Sequence, residues 1–176
     1  SLFACEQEGV SPDLMALAKG LSGGYLPLAA TLATQKVYDA FLGDFQEGKT
    51  FYHGHTFTGN QLACAAALAS LKIFDNEQTL RGARTRAGIL SRLLRERIRP
   101  LSGVGDIRQR GMMCGIELVA DKATGKPLPT EARSGWKVCL AAREKGVWIR
   151  PLGDVVVLMP PLNIAEPDLA KLVESV

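Results

Sequence analysis

The sequence predicts an α/β fold with a smaller α+β second part. Three observations predict it: short apolar runs alternate with helical periodicity before residue 98, β-rich runs dominate after Pro100, and 176 residues at 47% hydrophobic suffice for one sizeable core or two small ones. Leu14-Met15-Ala16-Leu17-Ala18, behind the turn formers Ser11-Pro12-Asp13, reads as a short buried strand ending at Lys19. Residues 28–33 read as a second strand and 35–42 as a helix. Residues 62–74 are apolar almost all round, so the helix they form is buried or lies in a subunit interface. Leu80, Ala83, Ala87, Leu90, Leu94 and Ile98 recur at intervals of three and four, the stripe of one long amphipathic helix. Beyond it, 116–119, 147–149 and 155–159 read as strands and 134–144 and 166–176 as helices. The division is expected within the end of the long helix and the loop at 99–105, giving parts 1–98 and 99–176.

Charge and cysteine content exclude several classes of function. Twenty-one basic against eighteen acidic residues leave +3, too mild for nucleic acid or an anionic membrane as the main partner. Nine arginines and two acids between 81 and 110 give a local net +7, but these arginines fill the wet face of the long helix with no aromatic residue interleaved for base stacking. Cys5, Cys64, Cys114 and Cys139 are widely spaced, which argues against a disulfide framework or zinc ribbon and suits a reducing cytoplasm. No apolar run approaches a membrane span or a signal peptide, and the start at Ser1 reads as a piece of something longer.

Four places carry chemistry. Lys19 ends an apolar strand and is followed by Gly20, Gly23 and Gly24; partial desolvation favours the neutral amine, and the glycines leave room for a flat cofactor, as a Schiff-base lysine requires. A snorkelling lysine beside an ordinary turn is the bland alternative. Residues 43–50 satisfy the G-x-x-x-x-G-K-[ST] phosphate-loop pattern, but a helix precedes them where a strand is needed and Asp44 and Glu47 would sit in the cradle, so an exposed loop is expected. Residues 53–60, His-Gly-His-Thr-Phe-Thr-Gly-Asn, place hydroxyls and amides before a helix, which suits an anion or plain capping by Thr58 or Asn60; His53 and His55 lack a third partner for a metal. In Val147-Trp148-Ile149-Arg150-Pro151, strand alternation sets Arg150 on the face of Trp148, a rigid place from which a guanidinium fork can meet a carboxylate or a surface acid.

Taken together and in order, these residues resemble the C-terminal portion of the class III pyridoxal-phosphate aminotransferases, over essentially the whole chain. Phe3-Ala4-Cys5-Glu6, the run from Ser11 through Lys19-Gly20-Leu21-Ser22-Gly23-Gly24, Leu28-Ala29-Ala30-Thr31-Leu32, the 53–60 segment with Leu62-Ala63-Cys64 behind it, and Gly146-Val147-Trp148-Ile149-Arg150-Pro151 with Leu158-Met159-Pro160-Pro161 carry the resemblance. The last pair points to the biotin-synthesis branch. The resemblance implies a fold type I aminotransferase, with part of the large cofactor-binding domain and a connecting helix over 1–98 and the small C-terminal domain over 99–176. It implies pyridoxal 5'-phosphate as cofactor, Lys19 as the lysine that binds it and moves the proton, and His55 and Thr56 as contacts to the phosphate of a neighbouring subunit, hence a homodimer. Gly54 is implied to line the substrate channel and Arg150 to pair with the carboxylate of 7-keto-8-aminopelargonate. The implied reaction is ping-pong transfer from adenosylmethionine or lysine to that keto acid. His55 stands where many adenosylmethionine users have proline, which leaves the donor open. The aspartate for the pyridine nitrogen is expected upstream of Ser1, so the chain alone is expected to be nearly inactive. Another ω-amino-acid aminotransferase and a non-catalytic dimerising fragment are the competing readings.

Overall fold

The computed structural model describes residues 2–176. It divides into one compact unit ending at Gln78 and a second running from Thr79 to Val176.

In the first unit, α1 (Ala4–Glu8) stops at Gly9, whose φ of 65° ends the turn in the left-handed region. β1 (Leu14–Leu17) pairs antiparallel with β2 (Ala30–Ala33), Leu14 opposite Ala33 and Leu17 opposite Ala30. A 3-10 turn over Lys19–Ser22 leaves β1 and closes at Gly23. α2 (Gln35–Asp39) follows, shorter than the helix expected to residue 42, and α3 (Gln61–Asn76) ends the unit. The expectation of a buried first strand is corrected: Leu14 is 59% exposed, because a two-stranded ribbon has no further strand to shield its sides. α3 is likewise not buried within this unit. Only Ala63 and Ala67 are covered, while Leu62 and Leu68 are 73% and 61% exposed.

The second unit holds the hydrophobic core. α4 (Thr79–Leu93) runs on into a single π-helical turn, Leu94–Ile98, and its predicted apolar stripe is the face that packs: Ala83, Leu90, Leu94 and Ile98 are buried in the same cluster as Cys114, Ile116, Val156, Leu158, Leu169 and Val173. The sheet is built from β3 (Val104–Arg110), β4 (Met113–Asp121), β5 (Lys126–Pro127), β6 (Arg150–Leu152) and β7 (Val155–Leu158). Its order is β3-β4-β7-β6, every pair antiparallel, with β5 added at the far end of β4. α5 (Ser134–Glu144) and α6 (Glu166–Glu174) supply Cys139, Ala142, Leu169 and Val173 to the core.

Beside the short β5, which the sequence did not suggest, β3 and β6 differ from expectation. β3, Val-Gly-Asp-Ile-Arg-Gln-Arg, escaped the hydrophobic pattern because it is an edge strand whose outward residues are charged; Arg108 bonds Asp106 on its own strand and Glu117 on β4. The strand expected at 147–149 begins instead at Arg150. Gly146, at φ 81°, reverses the chain after α5, and the Val147 N–H is spent on the Ala142 carbonyl at 3.0 Å, so ladder pairing starts only where Arg150 meets Val157.

Candidate active site

Lys19 opens the turn after β1 with φ 54°, a left-handed backbone that costs a residue with a Cβ about 1 kcal/mol. A position that keeps a long side chain against that cost is a candidate for function. The turn is pinned from both sides. Ser22 is buried and its hydroxyl donates to the Leu26 carbonyl, while the Ser70 hydroxyl on α3 donates to the Gly20 carbonyl at 3.5 Å. The desolvation expected of Lys19 is not present in this chain, where the residue is exposed, because the flanking strand is itself uncovered.

Lys19 lines a cleft of about 910 Å³ within the first unit, together with Gly24, Leu26, His55, Thr58 and Asn60. Sequence positions 19 and 55 therefore meet. The 55–60 segment is a built turn: the His55 N–H donates to Thr58 Oγ1 at 3.1 Å, and the Phe57 N–H donates to His55 Nδ1 at 3.1 Å. That second bond leaves the proton of a neutral imidazole on Nε2, a free donor. Asn60 caps α3, its Oδ1 accepting from the Ala63 N–H at 3.0 Å. Gly54 precedes this turn and Thr56 lies within it, and neither lines the cleft. Thr58 and Asn60, weighed in the sequence as caps and as part of a segment suited to an anion, line the cleft with Lys19.

Arg150 belongs to the second unit. It is exposed, its guanidinium makes no ion pair or hydrogen bond among the described residues, and it lines a separate cleft of about 460 Å³ with Trp148, Met159, Pro160, Asp168 and Lys171. Alternation holds as expected through the irregular run: Ile149 is buried, Trp148 and Arg150 exposed.

The phosphate-loop look-alike is an exposed loop in which Phe45–Glu47 form a 3-10 turn and Lys49 pairs with Glu47 at 2.6 Å, so its lysine is engaged by the acid that disqualified the motif. The His53 ring rests 5.3 Å from that of Phe51, and among the described residues no group of three or more His, Cys, Asp or Glu side chains converges. Among them also, no helix is long and apolar enough to cross a membrane.

Comparison with known proteins bears on all of this chain. The model of the aminotransferase class-III family matches residues 1–176. Proteins named adenosylmethionine-8-amino-7-oxononanoate aminotransferase from Nitratidesulfovibrio vulgaris and Aquifex aeolicus are 57% and 55% identical to it, over 100% and 99% of this chain but 32% and 38% of their own lengths. The crystal structure of the aminotransferase of the same name from Methanocaldococcus jannaschii superposes with a TM-score of 0.91 at 46% identity, covering 99% of this chain and 41% of that one. An amine transaminase from an uncultivated Pseudomonas species, solved in its PLP-bound form, superposes with a TM-score of 0.90 at 34% identity, covering 99% and 39%. The chain thus spans between about a third and two fifths of the length of these relatives, and its α/β fold superposes on part of theirs. Matched from end to end in sequence and superposing throughout on solved transaminases, the chain belongs to the class III aminotransferase family.

Proposed function

We propose that this chain is the C-terminal part of a pyridoxal-phosphate aminotransferase of biotin biosynthesis, which moves an amino group from adenosylmethionine or lysine onto 7-keto-8-aminopelargonate and gives 7,8-diaminopelargonate. The observation that carries the reading is Lys19, held in a left-handed turn and lining one cleft with the His55 turn and the capped start of α3. The relatives that share 57% and 55% of its residues bear the corresponding name. In this reading the first unit is part of the large cofactor-binding domain, α4 is the connecting helix, and residues 99–176 form the small domain.

The residues present fit the amine end of one cofactor and the phosphate end of another. Among the described residues Lys19 is the only amine lining the cleft, Gly24 and Gly59 bring no side chain to it, and the turn that carries His55 and Thr56 leads into the positive end of a sixteen-residue helix. No Asp or Glu lines the cleft, so the acid for the pyridine nitrogen comes from residues other than these. When bound, pyridoxal phosphate supplies the electron sink that lets the donor's carbon lose a proton. Lys19 Nζ binds the cofactor, takes that proton once freed, and returns it on the other side of the transfer. His55, through its Nε2 donor, and Thr56 hold the phosphate belonging to a second subunit. Gly54 keeps the substrate path free of side chains, and Arg150 pairs with the substrate carboxylate. The exposed apolar residues of α3, Leu62 and Leu68 among them, support a homodimer.

The test uses the full-length polypeptide that contains this chain. Borohydride reduction after loading with pyridoxal phosphate is expected to leave one pyridoxyl adduct, at Lys19, absent from Lys19→Ala. Adducts scattered over surface lysines overturn the reading. Preference for 7-keto-8-aminopelargonate over 2-oxoglutarate or pyruvate as acceptor separates the biotin-pathway reaction from that of an ornithine or 4-aminobutyrate type enzyme.

A further inference from the structure

Both tryptophans of the chain lie around one arginine. The Arg143 guanidinium, on the last turn of α5, sits 3.7 Å from the centre of the Trp148 ring and 5.9 Å from that of Trp136, seven residues earlier on the same helix face. Its Nε is buried and meets no hydrogen-bond acceptor, so the ring faces hold this side chain in place of acceptors. A guanidinium stacked on indole keeps its charge while presenting a flat, weakly hydrated surface, which is what such a sandwich needs. Trp148 is nevertheless 77% exposed, because only the side toward Arg143 is covered.

The run containing Trp148 needs an anchor. Residues 147–149 lie outside the sheet ladder, between the reversal at Gly146 and the first β6 pair, Arg150 with Val157. Val147 and Ile149 pack against the core and the Val147 N–H bonds the Ala142 carbonyl, which fixes one side of the run; the Trp148 ring stands on the other side, toward Arg150. In extended chain, residues two apart project the same way about 6.6 Å from each other, so the ring that Arg143 clamps stands next to the fork of Arg150. Both line the 460 Å³ cleft, where Asp168 and Lys171 offset one another and Arg150 remains as the net cation.

We propose that Arg143 is a positioning residue for carboxylate recognition: by stacking on Trp148 it holds the 147–149 run so that Arg150 meets the carboxylate of the substrate at a fixed place and angle. This rests on the reading of Arg150 given above. A bidentate pair depends on orientation as well as charge, so a loosened Arg150 keeps its general attraction for an anion but loses the oriented part of its preference for a carboxylate over its ester.

The experiment compares the keto acid with its methyl ester as acceptors for the full-length holoenzyme, with wild type, Arg143→Met, Arg143→Lys and Arg150→Gln. Arg143→Met keeps the length of the side chain without the cation. It is expected to raise KM for the acid about fivefold and to leave KM for the ester unchanged, while Arg143→Lys, which restores a cation over the ring, recovers most of the preference. The ester kinetics report in the same sample that the enzyme is folded. If Arg150→Gln erases the acid preference and Arg143→Met retains it, the positioning role is wrong and the role of Arg150 stands. An equal rise for acid and ester in Arg143→Met also overturns the proposal, since it marks a merely structural residue. If Arg150→Gln leaves the preference intact, the carboxylate reading of Arg150 falls and the proposal with it.

Discussion

Cys114 shows how far a single side chain in this molecule is removed from water. It is 1% exposed on β4, and burial pushes its thiol up to about 11. The folded state therefore holds its proton more tightly than the unfolded chain, where the thiol titrates near its ordinary value. Below about pH 8.5 both states are protonated and the group adds nothing to the pH dependence. As pH rises beyond that, the unfolded thiol ionises first and stability falls, by about 2 kcal/mol at pH 11. Denaturant titrations of the wild type and Cys114→Ala are expected to differ by a constant amount up to pH 8.5, with the wild type losing about 2 kcal/mol relative to the variant by pH 11. Lys19 marks the limit of reading at this scale. Its candidacy was legible from the glycines that follow it, whereas its exposure and its left-handed φ were not, because both depend on what the ribbon does or does not pack against. Arg143 was not legible as a functional residue at all; its seven-residue spacing from Trp136 was the only trace, and the decisive partner, Trp148, lies beyond a chain reversal.

Among the elements, α5 is locked to the β6–β7 hairpin at one glycine. The Gly135 N–H donates to Asp154 Oδ1 at 3.0 Å, and a Cβ built on Gly135 would lie 2.4 Å from the Gly153 carbonyl oxygen and 3.0 Å from Pro151 Cβ. Neither neighbour is a flexible side chain, so the helix must move away from the hairpin to admit a methyl group. Gly135→Ala is expected to destabilise the second unit by about 2 kcal/mol despite alanine's better helix propensity, measured as a shift in the denaturant midpoint at unchanged slope. What was readable in the sequence at this scale follows burial. The stripe from Leu80 to Ile98 and the valines of β7 face a core on one side and predict themselves by periodicity. β3 faces solvent along much of its length and its arginines were absorbed into the charge count of the helix before it. The start of β6 was misplaced by three residues because apolar, β-branched residues signal extended backbone without saying whether a partner strand begins there.

For the whole molecule, burial is distributed unequally. The continuous core runs from Ala83 to Val173, entirely within the second unit, whereas the buried residues of the first are Ser22, Ala63 and Ala67. Local opening free energy follows buried apolar contact. Hydrogen exchange of this chain is therefore expected to show β4 and β7 amides protected at least a hundredfold more than those of β1 and β2; equal protection would mean that the first unit is stabilised by something other than its own core. The division also explains why a function could be read here before a complete site could be drawn. The motifs that carry chemistry lie in short turns legible by residue identity alone, whereas closing a site takes packing around them, and the chain spans only between about a third and two fifths of the length of its relatives. The left-handed backbone at Lys19 gives that arrangement a historical edge. Glycine would relax the turn and asparagine would sit there more easily, so folding alone disfavours lysine at position 19, as it disfavours Gln78 and Arg133 at φ 50° and 48°. If Lys19 binds the cofactor as proposed, a lineage whose gene product had ceased to transaminate would be free to replace residue 19 early, and loss of this lysine would mark loss of the reaction.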